Sequence, residues 1–417
     1  MMKILWLSNT TLTDSDGGFS GTWLQALYRG LVDSGMVELG NIAIGDVART
    51  TRQDCGPVRQ WVVPVAPGSS RNGLPPDTIV ADIIKAVEEF APDLVHVWGT
   101  ECFWGLLTAR KLIRQPALLE MQGLKYAIAR VFAGGLSARE QLSCIGLREI
   151  LRPSSIRQGR KRFEEWAPFE KEIIASHAHI CVQTAWVEAQ VTSLNRSFKA
   201  YRCDLALRVP FYAAEPWCPA GNQSIICSAA YSAPFKGLHV AIRATAIVKK
   251  RFPQICLRIV GGLSGGGLRQ DGYVTWLKRE IRILGIESNV EWLGALDAPQ
   301  IITHMQASAA MVVPSYIENL ATSMQEAMLV GLPVVASYAG GIPSLAEDEE
   351  SALFFPMGDH EVCAFQLERL LADNELSMRL SRQGRSIAAQ RNDPKRILEL
   401  QLEIYRQVIA DCFGDVK

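Results

Sequence analysis

The chain has 417 residues, room for roughly two or three domains and more than one hydrophobic core. Hydrophobic residues make up 48% and charged residues 21%, which excludes a largely disordered polymer. Lys plus Arg equals Asp plus Glu at 43 each, so no global field draws the protein to nucleic acid, and any bound anion must be held by local groups.

In chain order, "KILWLS" (3–8) predicts a buried strand and "SGTWLQALYRGLVDSG" (20–35) a helix ended by Gly35. The first strand's ~5 apolar residues are too few for the core of a signal peptide. "QWVVPV" predicts a strand, "DTIVADIIKAVEEF" a helix, "DLVHVWG" a strand, "CFWGLLTARKLI" a helix and "ALLEM" a strand. Near-continuous apolar strands alternating with helices imply a parallel sheet covered on both faces. From about 123 to 178 the pattern is helical and basic, before "AHICVQT" restores a strand and a helix follows around Trp186.

"RVPFYAAEPWCPAGNQ" (208–223) holds three prolines and a Gly-Asn turn signal and marks a domain boundary. Beyond it the rhythm restarts with strands "SIICSA", "ICLRIVG", "NVEWLG", "AAMVVP", "PVVAS" and "ALFFP". Helices are expected to begin near Gly237, Asp271, Ala298, Thr322 and Asp359, and the last fifty residues read as amphipathic helix. The expected fold is α/β, with two doubly wound domains facing each other across a cleft, the first over 1–212 and the second over 213–393. A helix at 394–417 packs back on the first. Ligands of such sheets bind beyond the carboxyl ends of the strands. The ten cysteines, from Cys55 to Cys412 with no CxxC pair, fit reduced thiols. No apolar run approaches the ~18 residues of a membrane span. A cytoplasmic location is expected, with peripheral contact at the inner membrane face as its extension.

Within "MVVPSYIENLATSMQEAMLVGLPVVAS" (311–337), Glu318 lies in a loop after a strand and Glu326 in the following helix. Thr322 is expected to cap that helix, with Gln325 completing a capping box. Backbone N–H groups of Asn319 to Ser323 then face the ligand side, where they suit phosphate or sugar oxygens. A carboxylate accepts two hydrogen bonds at once and suits a vicinal diol. A nucleotide sugar has all of these parts.

The pattern "PS..E.......EAM..GLPVVAS..GGIP" (314–343) resembles the C-terminal-domain signature of the family-4 retaining glycosyltransferases, which have the GT-B fold. "SAPFKGLHVAIRA" with "LRIVGG", "MKILWLS" followed by "DGGFSG", and "PDLVHVWGTE" resemble further regions of that family. The likeness covers most of the chain, strongest over 224–358, and is closest to members that build capsular or extracellular polysaccharides. It implies that Glu326 holds the donor ribose, while Glu318 meets the transferred sugar with Asn319, Leu320 and Ala321 offering N–H groups. It further implies that Lys236 neutralises the diphosphate and that Gly17 and Gly18 form the loop admitting phosphates and acceptor. Gly261, Gly262 and Gly294 would lie near the base. Gln122, Glu101 and His96 are the candidate acceptor or sugar contacts, His96 reading first as a packed sheet residue. No metal and no cofactor beyond the UDP- or GDP-linked donor are expected. The partners are the nucleotide sugar, a saccharide or lipid-linked acceptor and no nucleic acid.

Two positions depart from the family pattern. An arginine five residues before the lysine is Tyr231 here, leaving Lys236 to carry more charge unless Arg269 reaches in. A histidine after "ALLEM" is Gln122, which can hydrogen-bond but cannot titrate. Two other functions share this architecture, a nucleotide-sugar epimerase and a non-catalytic nucleotide-sugar-binding subunit. The basic run from Arg148 to Arg162 reads as a solvated helical face or as a surface for an anionic membrane.

Overall fold

In the computed structural model, residues 1–13, 22–65, 71–219, 221, 223–228, 233–261 and 271–414 are described. The first sheet is built from β1 (Met2–Ser8), β2 (Val37–Gly45), β3 (Thr51–Arg52), β4 (Arg59–Pro64), β5 (Leu94–Trp98), β6 (Ala117–Glu120), β7 (His179–Cys181) and β8 (Lys199–Tyr201). Their order is β3-β4-β2-β1-β5-β6-β7-β8, parallel except for the short edge strand β3. The second sheet holds β9 (Ser224–Ser228), β10 (Cys256–Val260), β11 (Val290–Gly294), β12 (Ala310–Val313), β13 (Val334–Ser337) and β14 (Leu353–Phe355), all parallel in the order β11-β10-β9-β12-β13-β14. Numbered within itself that order is 3-2-1-4-5-6, the doubly wound arrangement.

The predicted strands fall where their apolar runs place them. β2 and the short edge strands β3 and β8 are absent from the sequence reading, and β2 is the long one. Its Gly40 and Asn41 carry turn chemistry, yet tertiary contacts make them interior. A Cβ on Gly40 would lie 2.8 Å from the Phe90 ring and 2.9 Å from Leu5. Asn41 is fully buried, accepting from Ser8 Oγ at 3.0 Å and donating Nδ2 to Gln60 Oε1 at 2.9 Å. A buried amide survives in a core when it is paired on both sides, as here.

The chain divides into two compact units, one made of Met1–Lys125, Trp166–Arg208 and Asn392–Lys417, the other of Tyr126–Glu165 and Val209–Arg391. This corrects the expected boundary, which put all of 1–212 in the first domain. The segment 126–165 belongs with the second sheet because Leu136 and Cys144 enter that unit's core. Charges fix it there as well. Arg243 pairs with Glu140, Arg148 Nη1 with Asp271 Oδ2 at 3.2 Å, and Gly272 N donates to Glu149 Oε1 at 3.1 Å. Burial pushes the Glu140 carboxyl up, but Ser137 and Arg243 outweigh it and hold the group at about 2.

The helix Pro394–Phe413 packs within the first unit. Asp393 caps it, accepting from Lys395 N at 2.8 Å and Arg396 N at 3.1 Å, with Pro394 at its first position. Ile397, Leu402, Ile404, Tyr405 and Val408 are buried, and these residues join the core around Trp6 and Leu94. Tyr405 fixes the register of this packing. Its oxygen accepts from Trp6 Nε1 at 3.1 Å and lies 2.9 Å from His96 Nδ1. A phenol oxygen offers one proton and can accept as well, so Tyr405 can serve both neighbours at once, and the other ring nitrogen of His96, Nε2, lies 3.4 Å from Glu120 Oε2. Burial lowers the His96 pKa and lifts the Tyr405 phenol well above its ordinary value, so both stay neutral. Tyr405→Phe strips buried partners from Trp6 and His96 and is expected to reduce stability by ~1–3 kcal/mol. A urea midpoint indistinguishable from the parent chain would rule out this bridge as an anchor.

Candidate functional site

In the second sheet, β9 and β12 lie side by side while the chain winds away from them in opposite directions, so the loops following them bound a crevice. The loop after β9 ends in a single 3-10 turn, Pro234–Lys236, and Gly237 at φ +73° then starts the helix Leu238–Val248. The loop after β12 carries Ser315, Tyr316 and Glu318. The two loops are joined closely. Tyr316 N donates to Phe235 O at 2.7 Å, and a Cβ on Gly237 would lie 1.9 Å from the Pro314 carbonyl oxygen. Only glycine allows both the left-handed backbone and that approach.

The approach brings the two predicted catalytic side chains into contact. Lys236 Nζ donates to Glu318 Oε1 at 2.6 Å, and Ser315 Oγ donates to the same oxygen at 2.9 Å. The ion pair is partly exposed, with side-chain accessibilities of 30% and 15%. The Glu318 backbone is clamped from behind by the turn after β13. Gly341 N donates to Glu318 O at 2.9 Å, and Gly340, at φ +55°, would carry a Cβ only 2.2 Å from that oxygen. The first glycine of the motif's pair is thus a steric requirement of the glutamate loop, and the second supplies the N–H that bonds it.

Glu326 is buried (4% exposed) inside the helix Thr322–Val330. The expected capping box is absent. Ala321 holds the N-cap position with no side-chain cap, and Thr322 is the first helical residue. Alanine has no side-chain oxygen with which to cap the first N–H groups of this helix. Asn319 and Leu320 are half-buried and Ala321 is buried. Gly261 and Gly294 come together at the ends of β10 and β11, where Gly261 N donates to Gly294 O at 2.7 Å, at φ +133° and +75°. Gly17, Gly18, Gly262, Tyr231 and Arg269 lie outside the described residues.

Sequence reasoning missed the support behind Lys236. His239 is buried, its ring stacked on Tyr316 at 5.8 Å and its Nδ1 2.8 Å from Tyr273 Oη. Burial, helped by Arg243, brings its pKa down to about 4, so it packs as a neutral ring. Phe132 packs against Phe235 at 5.5 Å, and Gly134 lies against Pro234 O. The signal available in the sequence was the tyrosine two before Glu318 and the histidine three after Lys236. A cavity of about 200 Å³, lined by residues that include Arg148, Glu149, Arg162 and Asp271, is a separate feature, lined by none of Lys236, Glu318 and Glu326.

In the first unit, Glu101 and Gln122 meet at the carboxyl ends of β5 and β6. A side chain on Gly99 (φ +89°) would fall 2.0 Å from Glu101 Oε2 and 3.3 Å from Gln122 Oε1. Glu101 Oε1 accepts from Gly123 N, and Lys125 Nζ bonds the Glu101 carbonyl. Oε2 has no partner among the described residues. Burial pushes the carboxyl up, opposed by the backbone donors and by Lys125. Burial also draws the Lys125 ammonium down, against Glu101, Cys102 and Glu170. His96 does not join this group. It is fully buried, stacked on Trp98 at 4.1 Å and engaged with Tyr405, so packing describes it and contact with an acceptor does not. Among the described residues no three Asp, Glu, His or Cys side chains form a metal-binding group.

Residues 217–387 match the family described as glycosyl transferases group 1, a span that contains Lys236, Glu318 and Glu326. A D-inositol 3-phosphate glycosyltransferase of Saccharomonospora viridis is 35% identical over 185 residues, 43% of this chain and 42% of that protein. One of Corynebacterium aurimucosum is 37% identical over 142 residues, 34% of this chain and 33% of that protein. The chain thus matches less than half the length of these curated relatives, and their names concern an inositol phosphate rather than polysaccharide assembly. Sucrose-phosphate synthase from Thermosynechococcus elongatus superimposes with a TM-score of 0.74 at 18% identity, over 99% of this chain and 100% of that one. Anabaena HepE, solved in complex with UDP and glucose, gives 0.67 at 19% identity over 98% and 100%. These likenesses establish the fold as GT-B, with two Rossmann-like α/β domains and C-terminal helices.

If the close approach at Gly237 is what joins the two loops, Gly237→Ala should be far worse than a glycine replaced in open space. Gly285, at φ +66° with nothing within 4 Å of its Cβ position, isolates backbone strain alone, worth ~1–2 kcal/mol. Chemical unfolding of both variants should find Gly237→Ala less stable by at least a further ~1 kcal/mol. Equal losses would remove the steric argument.

Proposed function

We propose that the chain is a retaining glycosyltransferase that moves a sugar from a UDP- or GDP-sugar to a saccharide or lipid-linked acceptor in polysaccharide or glycolipid biosynthesis. The observation that carries this reading is the Lys236–Glu318–Ser315 cluster between the ends of β9 and β12, beside a helix start with no side-chain cap. A diphosphate arriving there would exchange one anionic partner of Lys236 for another. As the bond from the sugar's anomeric carbon to the diphosphate breaks, its electron pair goes to a phosphate oxygen. The ammonium of Lys236 and the N–H groups near Asn319–Thr322 can stabilise that charge without a metal. The acceptor oxygen would bond the same carbon on the face that the diphosphate leaves, its proton passing to the departing phosphate.

In this scheme Glu326 grips the ribose from within its helix, where a buried carboxylate is held rigidly. Glu318 addresses the transferred sugar with the oxygen that Lys236 does not engage. Gln122 and Glu101 serve as the acceptor-side contacts. The curated relatives add a phosphorylated cyclic polyol to the acceptors that should be screened. The HepE complex with UDP supports trying uridine-linked donors first.

Ribose binding does not change during transfer, whereas phosphate charge does. Glu326→Ala should therefore weaken donor binding roughly 10- to 150-fold, the equivalent of ~1.5–3 kcal/mol, raising KM more than it lowers kcat. Lys236→Ala should lower kcat itself by about 100- to 1,000-fold. Glu318→Ala should reduce kcat while leaving affinity for the free nucleoside diphosphate nearly intact. Calorimetry with the diphosphate and steady-state kinetics with the sugar donor separate these outcomes, and loss of diphosphate affinity in Glu318→Ala but not in Glu326→Ala would reverse the two carboxylate roles. Chelators should leave the rate unchanged. Conversion of the nucleotide sugar with no acceptor present would favour an epimerase instead.

A further inference from the structure

We propose that the outward face of residues 138–162 docks on a bilayer surface bearing anionic lipid. The proposal is independent of the transfer reading. Large apolar side chains exposed elsewhere on the described surface are mostly scattered, but five stand within ten residues here: Leu142 (68% exposed), Ile145 (45%), Leu147 (48%), Ile150 (72%) and Leu151 (73%). They belong to the short helices Ala138–Ser143 and Leu147–Leu151 and the turn between them.

The exposure is built in. Cys144 and Leu136 are drawn into the core of the second unit. Glu149 accepts from Gly146 N at 2.9 Å and from Gly272 N at 3.1 Å, so the Leu147–Leu151 turn cannot roll its apolar side inward without breaking both bonds.

Charge identifies the occupant. Residues 126–165 hold eight Lys and Arg against four Asp and Glu, in a chain that is neutral overall. Two of the four acids, Glu140 and Glu149, face inward to Arg243 and Gly272. Arg139, Arg152, Arg157, Arg160, Lys161 and Arg162 are all exposed. Among the described residues, only Arg160 and Lys161 of these six pair with carboxylates, Glu164 and Glu165, at the solvent surface. Exposed branched aliphatic side chains followed closely in sequence by exposed basic ones match the boundary between anionic headgroups and acyl chains. A protein partner would be met by aromatic anchors and mixed charge, and an isologous dimer would press two positive faces together. No described helix is long and apolar enough to cross a membrane, so the attachment is interfacial.

Co-sedimentation of the full chain with vesicles of phosphatidylcholine, with and without phosphatidylglycerol, tests the proposal. The chain should sediment only with the anionic vesicles, and less so as salt shortens the screening length below about 10 Å. Ile150→Ser with Leu151→Ser should lower the partition at least about tenfold. Arg152→Glu with Arg157→Glu should lower it at least about 25-fold, since each basic residue near such a surface is worth about fivefold. All four positions are exposed, so melting curves should not move, and transfer to a water-soluble acceptor should be unchanged. The proposal fails if the parent chain binds neither kind of vesicle, if both double variants bind as the parent does, or if light scattering finds a dimer that these variants dissolve.

Discussion

The second unit depends on how near the loop after β9 can come to the loop after β12. The missing side chain of Gly237 lets the Pro314 carbonyl approach to a distance that no other residue permits, and the Phe235–Tyr316 backbone bond locks the two loops at that spacing. Lys236 and Glu318 meet because the backbones beneath them meet. Gly340 makes a second such approach from the other side of Glu318, so the glutamate is held between two glycine-enforced contacts and little of its position is left to rotamer preference. A charged group held this firmly reorganises little when charge appears next to it.

The first unit solves a different problem. Its central strands carry Trp6, His96 and Trp98 into the interior, where Tyr405 joins Trp6 to His96 through hydrogen bonds on both sides of its oxygen. At the strand ends the same sheet presents Glu101 and Gln122 around Gly99. One histidine and one glutamate only five residues apart in sequence are therefore placed differently, the first inside the core and the second at the strand ends.

Much of this was legible in the sequence. Apolar runs placed eleven of the fourteen strands to within about three residues, because buried parallel strands have continuous apolar composition, and left out β2, β3 and β8. The motif glycines and the two glutamates were found because steric and chemical demands leave few substitutes. Three things stayed hidden. β2 carries turn residues whose role is set by Phe90 and Gln60, far away in sequence. The segment 126–165 gives no sign of which sheet it joins, since Leu136 and Cys144 look like any other half-buried helical residues. The helix at Thr322 reads as a capping box, yet its start falls one residue away from where that box would need it.

The chain passes between its two units at 125/126, 165/166, 208/209 and 391/392. The first unit is therefore assembled from three separate stretches, and the helix that covers Trp6 and His96 follows the whole of the second unit in sequence. During synthesis the first sheet emerges long before its cover, and must wait through more than 180 residues of translation with that face unsealed. Neither unit exists as one continuous piece that could be cut out and expressed. The first unit's core around Trp6 is complete only once residues near 400 have arrived.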